Sequence, residues 1–131
     1  MSARLTIAIA SLYGFFAVAL GAFGAHALKG QISEKLLNAY QTGVHYQLAH
    51  ALALLVVGLF MQQRGFAAPW LRRSAVLFSL GVLLFSGSLY GLALTGMAWL
   101  GPVTPLGGVC LLLAWVSLFM SAISLNGTDD V

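Results

Sequence analysis

The chain has 131 residues, 60% of them hydrophobic and 7% charged, with a mean hydropathy of +0.95. Average soluble domains carry about 25% charged residues, and short chains bury only about 60–70% of their surface. A water-soluble globule is therefore excluded, and lipid is the solvent that accommodates the excess. Six Lys and Arg against three acidic residues give a net charge of +3. They are scattered, with no basic stripe interleaved with aromatics, so no nucleic-acid partner is expected. The single cysteine, Cys110, sits in an apolar run, where no intrachain disulfide can form.

Arg4 precedes an apolar stretch, and Ala25-His26-Ala27 loosely matches a small-x-small cleavage site. The run from Leu5 to Leu28 exceeds the roughly 7–15 residues of a signal-peptide core, so a retained helix is expected. Crossing about 30 Å of hydrocarbon takes about 20 apolar residues. Stretches 5–28, 43–61, 73–95 and 105–125 qualify, and only Arg73, at an edge, brings a full charge into them. They are solidly apolar rather than alternating, which predicts helices and not barrel strands. The expected fold is an all-α integral membrane four-helix bundle, one domain over 1–131.

The connections fit this plan. In the polar stretch 29–42, Ile32, Leu36, Leu37 and Tyr40 are spaced for one face of a short interfacial helix between helices 1 and 2, with Ser33 as its cap. Residues 62–72 carry Arg64 and Arg72, and Pro69 and Trp70 suit a helix start at headgroup level. Thr104 and Pro105 read as cap and first residue of the last helix, and Asn126-Gly127 as its stop. With four spans, Arg4, Arg64, Arg72 and Arg73 share one side against Lys29 and Lys35 on the other. Basic residues collect on the cytoplasmic side, so both termini are expected there. The acidic Asp129 and Asp130 in the tail hardly enter this rule.

Helices in lipid gain little from hydrophobic burial and associate by close packing of small residues. On the first helix Ala10, Gly14, Ala17, Gly21 and Gly24 alternate steps of four and three. On the last, Gly107, Cys110, Ala114, Ser117, Ser121 and Ser124 do the same, which makes Cys110 a packing residue rather than a reactive thiol. The third helix adds Gly87-x-x-x-Gly91. Packing within the chain is the expected use, with an oligomer contact as the alternative. The two halves show no repeat that would suggest an inverted-repeat transporter.

The histidines gather toward one membrane side: His26 ends the first helix, while His45 and His50 lie early in the second. Ser86, Ser88 and Tyr90 reach comparable depth on the third. His45 and His50 are about 140° apart around a helix, so they do not share one small ligand, whereas Tyr46 and His50 share a face. Ionisable groups inside a membrane are functional suspects by default. The expected role of this cluster is a polar clasp between helices, with His50 bonded to Tyr90 or Ser86. A proton- or solute-conducting path and a metal, haem or quinone site are the alternatives.

Several strings act together as a signature: Gly21-Ala22-Phe23-Gly24-Ala25-His26-Ala27-Leu28, Thr42-Gly43-Val44-His45-Tyr46-Gln47 with His50-Ala51-Leu52-Ala53, Phe85-Ser86-Gly87-Ser88-Leu89-Tyr90, and Thr104-Pro105-Leu106-Gly107-Gly108. Over nearly its whole length the chain resembles the YgdD-like family of small bacterial inner-membrane proteins, a domain of unknown function with relatives in animals. That resemblance implies four helices and an inner-membrane location, and it brings no enzyme activity or ligand.

No Ser-His-Asp set, paired carboxylates, phosphate loop or Cys-rich metal motif is present in the sequence. The function expected is therefore non-catalytic, that of a scaffold or accessory subunit. No catalytic, metal or cofactor-binding residue is assigned and no cofactor is expected. Besides the lipid bilayer, the partner class is another membrane protein or a second copy of the chain. A small oligomeric transporter or channel using the histidines is the first alternative, and a redox protein with histidine ligands the second.

Overall fold

The computed structural model describes residues 1–63, 66 and 68–124. Every regular element among them is helical: α1 Ala3–Phe23, α2 Glu34–Phe60, α3 Ala68–Thr95 and α4 Val103–Ile123, with two short helical turns. At 1.5 Å per residue each long helix measures about 30–40 Å, enough to cross hydrocarbon. All four are apolar enough to do so. Arg64, the stop expected at Asn126-Gly127 and the acidic Asp129 and Asp130 lie outside the described residues.

Ser2 caps α1, its side chain accepting from the Leu5 N–H at 3.1 Å. Past Phe23 the helix widens into a π-helical turn, Gly24–Leu28. At that point the Tyr40 hydroxyl of α2 donates to the Leu20 carbonyl at 2.6 Å, an oxygen that the Gly24 N–H also uses. A donor inserted into the ladder accounts for such widening. Gly24 makes the insertion possible, since a Cβ there would stand 2.5 Å from Tyr40 Cε1.

The separate interfacial helix expected after helix 1 does not exist. Ser33 does cap a helix, accepting from Leu36 N–H at 3.2 Å, but that helix is α2, which continues unbroken to Phe60. No proline interrupts it, and its first turns pack against other parts of the protein. Tyr40 is fully buried with Leu28 and Ala93, and Ile32, Leu36 and Leu37 pack around them. The apolar face read from the sequence is real, but it meets other helices.

The helix α3 begins at Ala68, with Pro69 in its first turn as expected, where the missing N–H is harmless. Arg73 lies 4.6 Å over the Trp70 ring. Gly96, with φ +70°, ends α3 in a conformation that L side chains rarely adopt. A single helical turn, Ala98–Leu100, leads to α4, which starts at Val103. Thr104 is therefore inside α4 and is not its cap. Its hydroxyl instead meets that of Ser88 at 2.6 Å, tying α4 to α3.

Extensive contacts join only consecutive helices, and α1 touches α3 lightly. The result is an open bundle in which α1 and α4 each have one engaged flank. Its main core comes from α2, α3 and α4, with Leu54, Val57, Leu71, Phe78, Val82 and Leu111 buried and Ala10 added from α1.

Close approach is achieved at particular glycines. A Cβ on Gly107 would press on the Phe85 backbone, 2.7 Å from its Cα. One on Gly81 would stand 2.6 Å from Leu111 Cδ2, and one on Gly58 would stand 2.7 Å from Ile7 Cγ1. Gly21 is less tight, with Val44 Cγ1 at 3.3 Å. Three of the expected contacts are corrected. Gly14 has nothing within 4 Å, while the carbonyl of the neighbouring Tyr13 accepts from Gln47 of α2. Gly87 also has nothing within 4 Å, for it lines an open crevice between α1 and α3. Gly91 is tight, but against Leu100 of the connecting turn, at 2.7 Å. On α4 the buried line runs Gly107, Leu111, Ala114, Ser117, Ser121, so Leu111 takes the place expected of Cys110, which is half-buried.

These differences separate two substitutions that look alike in sequence. Gly107→Ala is expected to lower thermal stability in detergent by roughly 1–3 kcal/mol through overpacking. Gly87→Ala is expected to be neutral or stabilising by up to about 1 kcal/mol, from helix propensity alone. Thermal unfolding of both in one detergent checks this, and equal midpoints would refute the packing described for α3 and α4.

Candidate functional site

Two groups of polar side chains inside the spans join helices around α2, one centred on Gln47 and one on His50. The first is centred on Gln47, which is 4% exposed. Its amide N–H donates to the Tyr13 carbonyl of α1 at 2.9 Å. Its amide oxygen accepts from the Tyr90 hydroxyl of α3 at 2.6 Å. One residue thus links three helices. Beside it the Ser86 hydroxyl donates to the Gly43 carbonyl at 2.7 Å, and the Tyr13 hydroxyl donates to the Ser79 carbonyl at 2.7 Å. Gly43 admits α3 here, since a Cβ would lie 2.9 Å from Tyr90 Cε1.

The second group is centred on His50, 8% exposed, which faces α4. Its Nδ1 lies 2.7 Å from the Tyr46 carbonyl oxygen. A carbonyl can only accept, so Nδ1 carries the proton and Nε2 is a bare acceptor. The Trp115 indole N–H donates to that nitrogen at 3.1 Å. His50 therefore bonds neither Tyr90 nor Ser86, the partners expected from sequence, because both of these are turned to Gln47 and Gly43 on the other side. Rings surround the pair: Phe78 lies 5.7 Å from His50 and 5.1 Å from Trp115. Between α2 and α4, Tyr46, His50, Phe85, Gly108 and Trp115 line a groove of about 420 Å³ together with Pro105, Val109, Leu111 and Leu112.

The other expected members lie apart. His26 is exposed on the π-helical turn, and His45 is exposed on α2, where it lines a pocket with Tyr46, Ala49 and His50. Ser88 is buried between α3 and α4, donating to Phe85 O at 2.9 Å and meeting Thr104. The three histidines do not converge, and no group of three His, Cys, Asp or Glu able to hold a metal exists among the described residues. Ser74, Ser86 and Tyr90 spend their protons on protein acceptors, and no buried side-chain nitrogen or oxygen among the described residues lacks a partner.

Sequence reasoning passed over two residues that organise these groups. The signal for Gln47 is an amide well inside an apolar run, where it needs a protein partner. Trp115 carries a weaker signal, since tryptophan is common at membrane interfaces. Its position in the middle of α4, not at an end, was the available clue.

The family described as "Protein of unknown function (DUF423)" matches residues 20–108. Relatives align over almost the full chain. The "UPF0382 inner membrane protein YgdD" of Escherichia coli K12 is 42% identical, covering 96% of this chain and 95% of its own length. The "UPF0382 membrane protein YwdK" of Bacillus subtilis is 39% identical, covering 92% and 97%. The chain belongs to the DUF423 family. A further DUF423-like relative, the "UPF0382 membrane protein SH2409" of Staphylococcus haemolyticus, is 37% identical over 95% and 99%. No solved structure matches this chain.

With the apolar helices, these relatives establish an integral membrane protein of unknown biochemical activity. The DUF423 match holds Gln47, His50, Ser86, Tyr90 and Gly107, while Tyr13 and Trp115 fall outside it. Gln47 contributes only the side-chain half of its bond to Tyr13, whose carbonyl any residue would supply. Trp115, by contrast, acts through its own indole.

The two groups predict unequal effects. Gln47→Leu strands the Tyr90 hydroxyl and is expected to cost roughly 1–3 kcal/mol of stability. His45→Leu, on an exposed face, is expected to stay within about 0.5 kcal/mol of wild type. Matched thermal unfolding of the two variants in one detergent checks this, and a Gln47→Leu midpoint equal to wild type would dissolve the clamp.

Proposed function

We propose that this protein is a non-catalytic scaffold or accessory subunit of the bacterial inner membrane, with both termini in the cytoplasm. The observation that carries the reading is the use made of its buried polar groups. Those of Gln47, Tyr90, Ser86 and Ser74 are consumed in joining helices. The surface that α1 leaves to other molecules is largely apolar. Leu12, Phe15, Phe16, Val18 and Phe23 are exposed along α1, whose buried residues are only Thr6, Ala10 and Ala17. An outer helix with one engaged flank leaves room for the transmembrane helix of a partner.

The orientation rests on charge. Arg4, Arg72 and Arg73 are exposed at the starts of α1 and α3, and the opposite side carries Lys29 and Lys35. Basic residues near span ends favour the cytoplasm. The name of the Escherichia coli relative supports the inner membrane as the location.

Two measurements test this. Reporter fusions after Val131 and within 96–101 should give opposite signals, with Val131 inside, and an external signal at Val131 would reverse the topology. Extraction in mild detergent should retain a membrane-protein partner at fixed stoichiometry. Catalytic turnover or solute flux by the purified chain alone in proteoliposomes would replace the scaffold reading.

A further inference from the structure

The groove between α2 and α4 differs from an ordinary lipid-facing crevice in its lining. Its walls are rings: Tyr46 lies 4.4 Å from Phe85 and stacks on His50 at 5.7 Å, and His50 meets Trp115 edge-on at 5.9 Å. In that lining one acceptor, His50 Nε2, and one donor, the Trp115 N–H, are bonded only to each other, at 3.1 Å. The tautomer is fixed from behind by the Tyr46 carbonyl. Gly108 supplies no side chain, and a Cβ there would meet nothing nearer than 3.9 Å. Val109, Leu112 and Trp115 are exposed along α4, so the mouth opens to lipid.

We propose that this groove binds the hydroxyl-bearing ring of a membrane-dissolved isoprenoid quinol, its O–H inserted between His50 Nε2 and the Trp115 N–H. A hydroxyl donates and accepts at one atom, so it replaces one hydrogen bond by two and leaves neither partner stranded. A hydrocarbon tail would use neither polar atom. A quinone carbonyl only accepts, so it would satisfy Trp115 and leave Nε2 bare. The reduced ring is therefore the preferred form. Tyr46 and Phe85 offer it faces and edges for stacking, and about 420 Å³ falls in the size range of small-ligand sites. The binding requires no partner protein and is independent of the scaffold reading.

The test uses the full chain in phosphatidylcholine nanodiscs, with Trp70→Phe and Trp99→Phe leaving Trp115 as the only indole. A decyl-substituted benzoquinol, kept reduced under nitrogen, is titrated while Trp115 fluorescence is followed, with empty nanodiscs as the blank. A saturable one-site change is expected, with the oxidised quinone binding several-fold more weakly. Gly108→Leu fills the groove at a position with space and leaves the His50–Trp115 pair intact, so its helicity should be unchanged while affinity falls about tenfold or more. His50→Leu should lose affinity to a similar extent. If His50→Leu does not fold, Gly108→Leu and the quinol-to-quinone ratio decide. Absence of saturation, equal affinity for quinol and quinone, full competition by dodecane, or an undiminished affinity in folded Gly108→Leu would each overturn the proposal.

Discussion

A side-chain amide in the middle of a membrane-spanning helix has no water to turn to, and Gln47 resolves this by bonding two other helices at once. Its donor goes to the Tyr13 carbonyl and its acceptor takes the Tyr90 hydroxyl. Each unsatisfied polar group in hydrocarbon costs several kcal/mol, so the positions of α1 and α3 relative to α2 are not free to drift. The geometry around it follows. Gly43 must be small for Tyr90 to reach the amide, and Ser86 then meets the carbonyl of Gly43 itself.

The α3–α4 pair is held differently. Here backbone approaches backbone at Gly107 and Phe85, Leu111 fills the space over Gly81, and Ser74 donates to the Ala114 carbonyl at 2.9 Å. Dispersion across a close interface does the work that hydrophobic burial does in water. The contrast gives the bundle a graded build. α3 and α4 form the most extensive pair and α2 joins them through the Phe78 core, whereas α1 is tied at three levels: Gly58 and Ile7, Gln47 and Tyr13, and Tyr40 and Leu20.

What the sequence made legible were the features governed by local or compositional rules. Four apolar runs of sufficient length give four helices, and Ser33 caps one of them. The apolar face of Ile32, Leu36, Leu37 and Tyr40 was equally readable, but its destination was not. An amphipathic stretch beside a membrane suits an interface or a neighbouring helix equally well, and only the Tyr40 bond to Leu20 decides for the second. Glycine spacing likewise shows where backbones are able to approach, not where they do. Gly87 and Gly91 share a face, yet one borders a crevice and the other a connecting turn. The candidate polar residues were individually conspicuous, but pairing them needs the rotation of each helix, which apolar runs this uniform do not encode. That is why His50 was matched to α3 when its partner is on α4.

The open arrangement of helices has one more consequence. Because extensive contacts run only between consecutive helices, α3 is flanked by two crevices, one toward α1 and one between α2 and α4. In the first, Tyr90 and Ser86 donate to Gln47 and Gly43 of α2, and Gln47 donates to the Tyr13 carbonyl of α1. The second holds an acceptor and a donor whose only bond is to each other, on a helix pair that is otherwise little engaged. A bond of that kind is replaceable by any molecule that supplies both halves, whereas the three-helix clamp is not, because no single ligand reproduces its bonds to α1 and α3. The same demand for satisfied polar groups therefore makes one side of α3 a fastening and leaves the other able to exchange its partner.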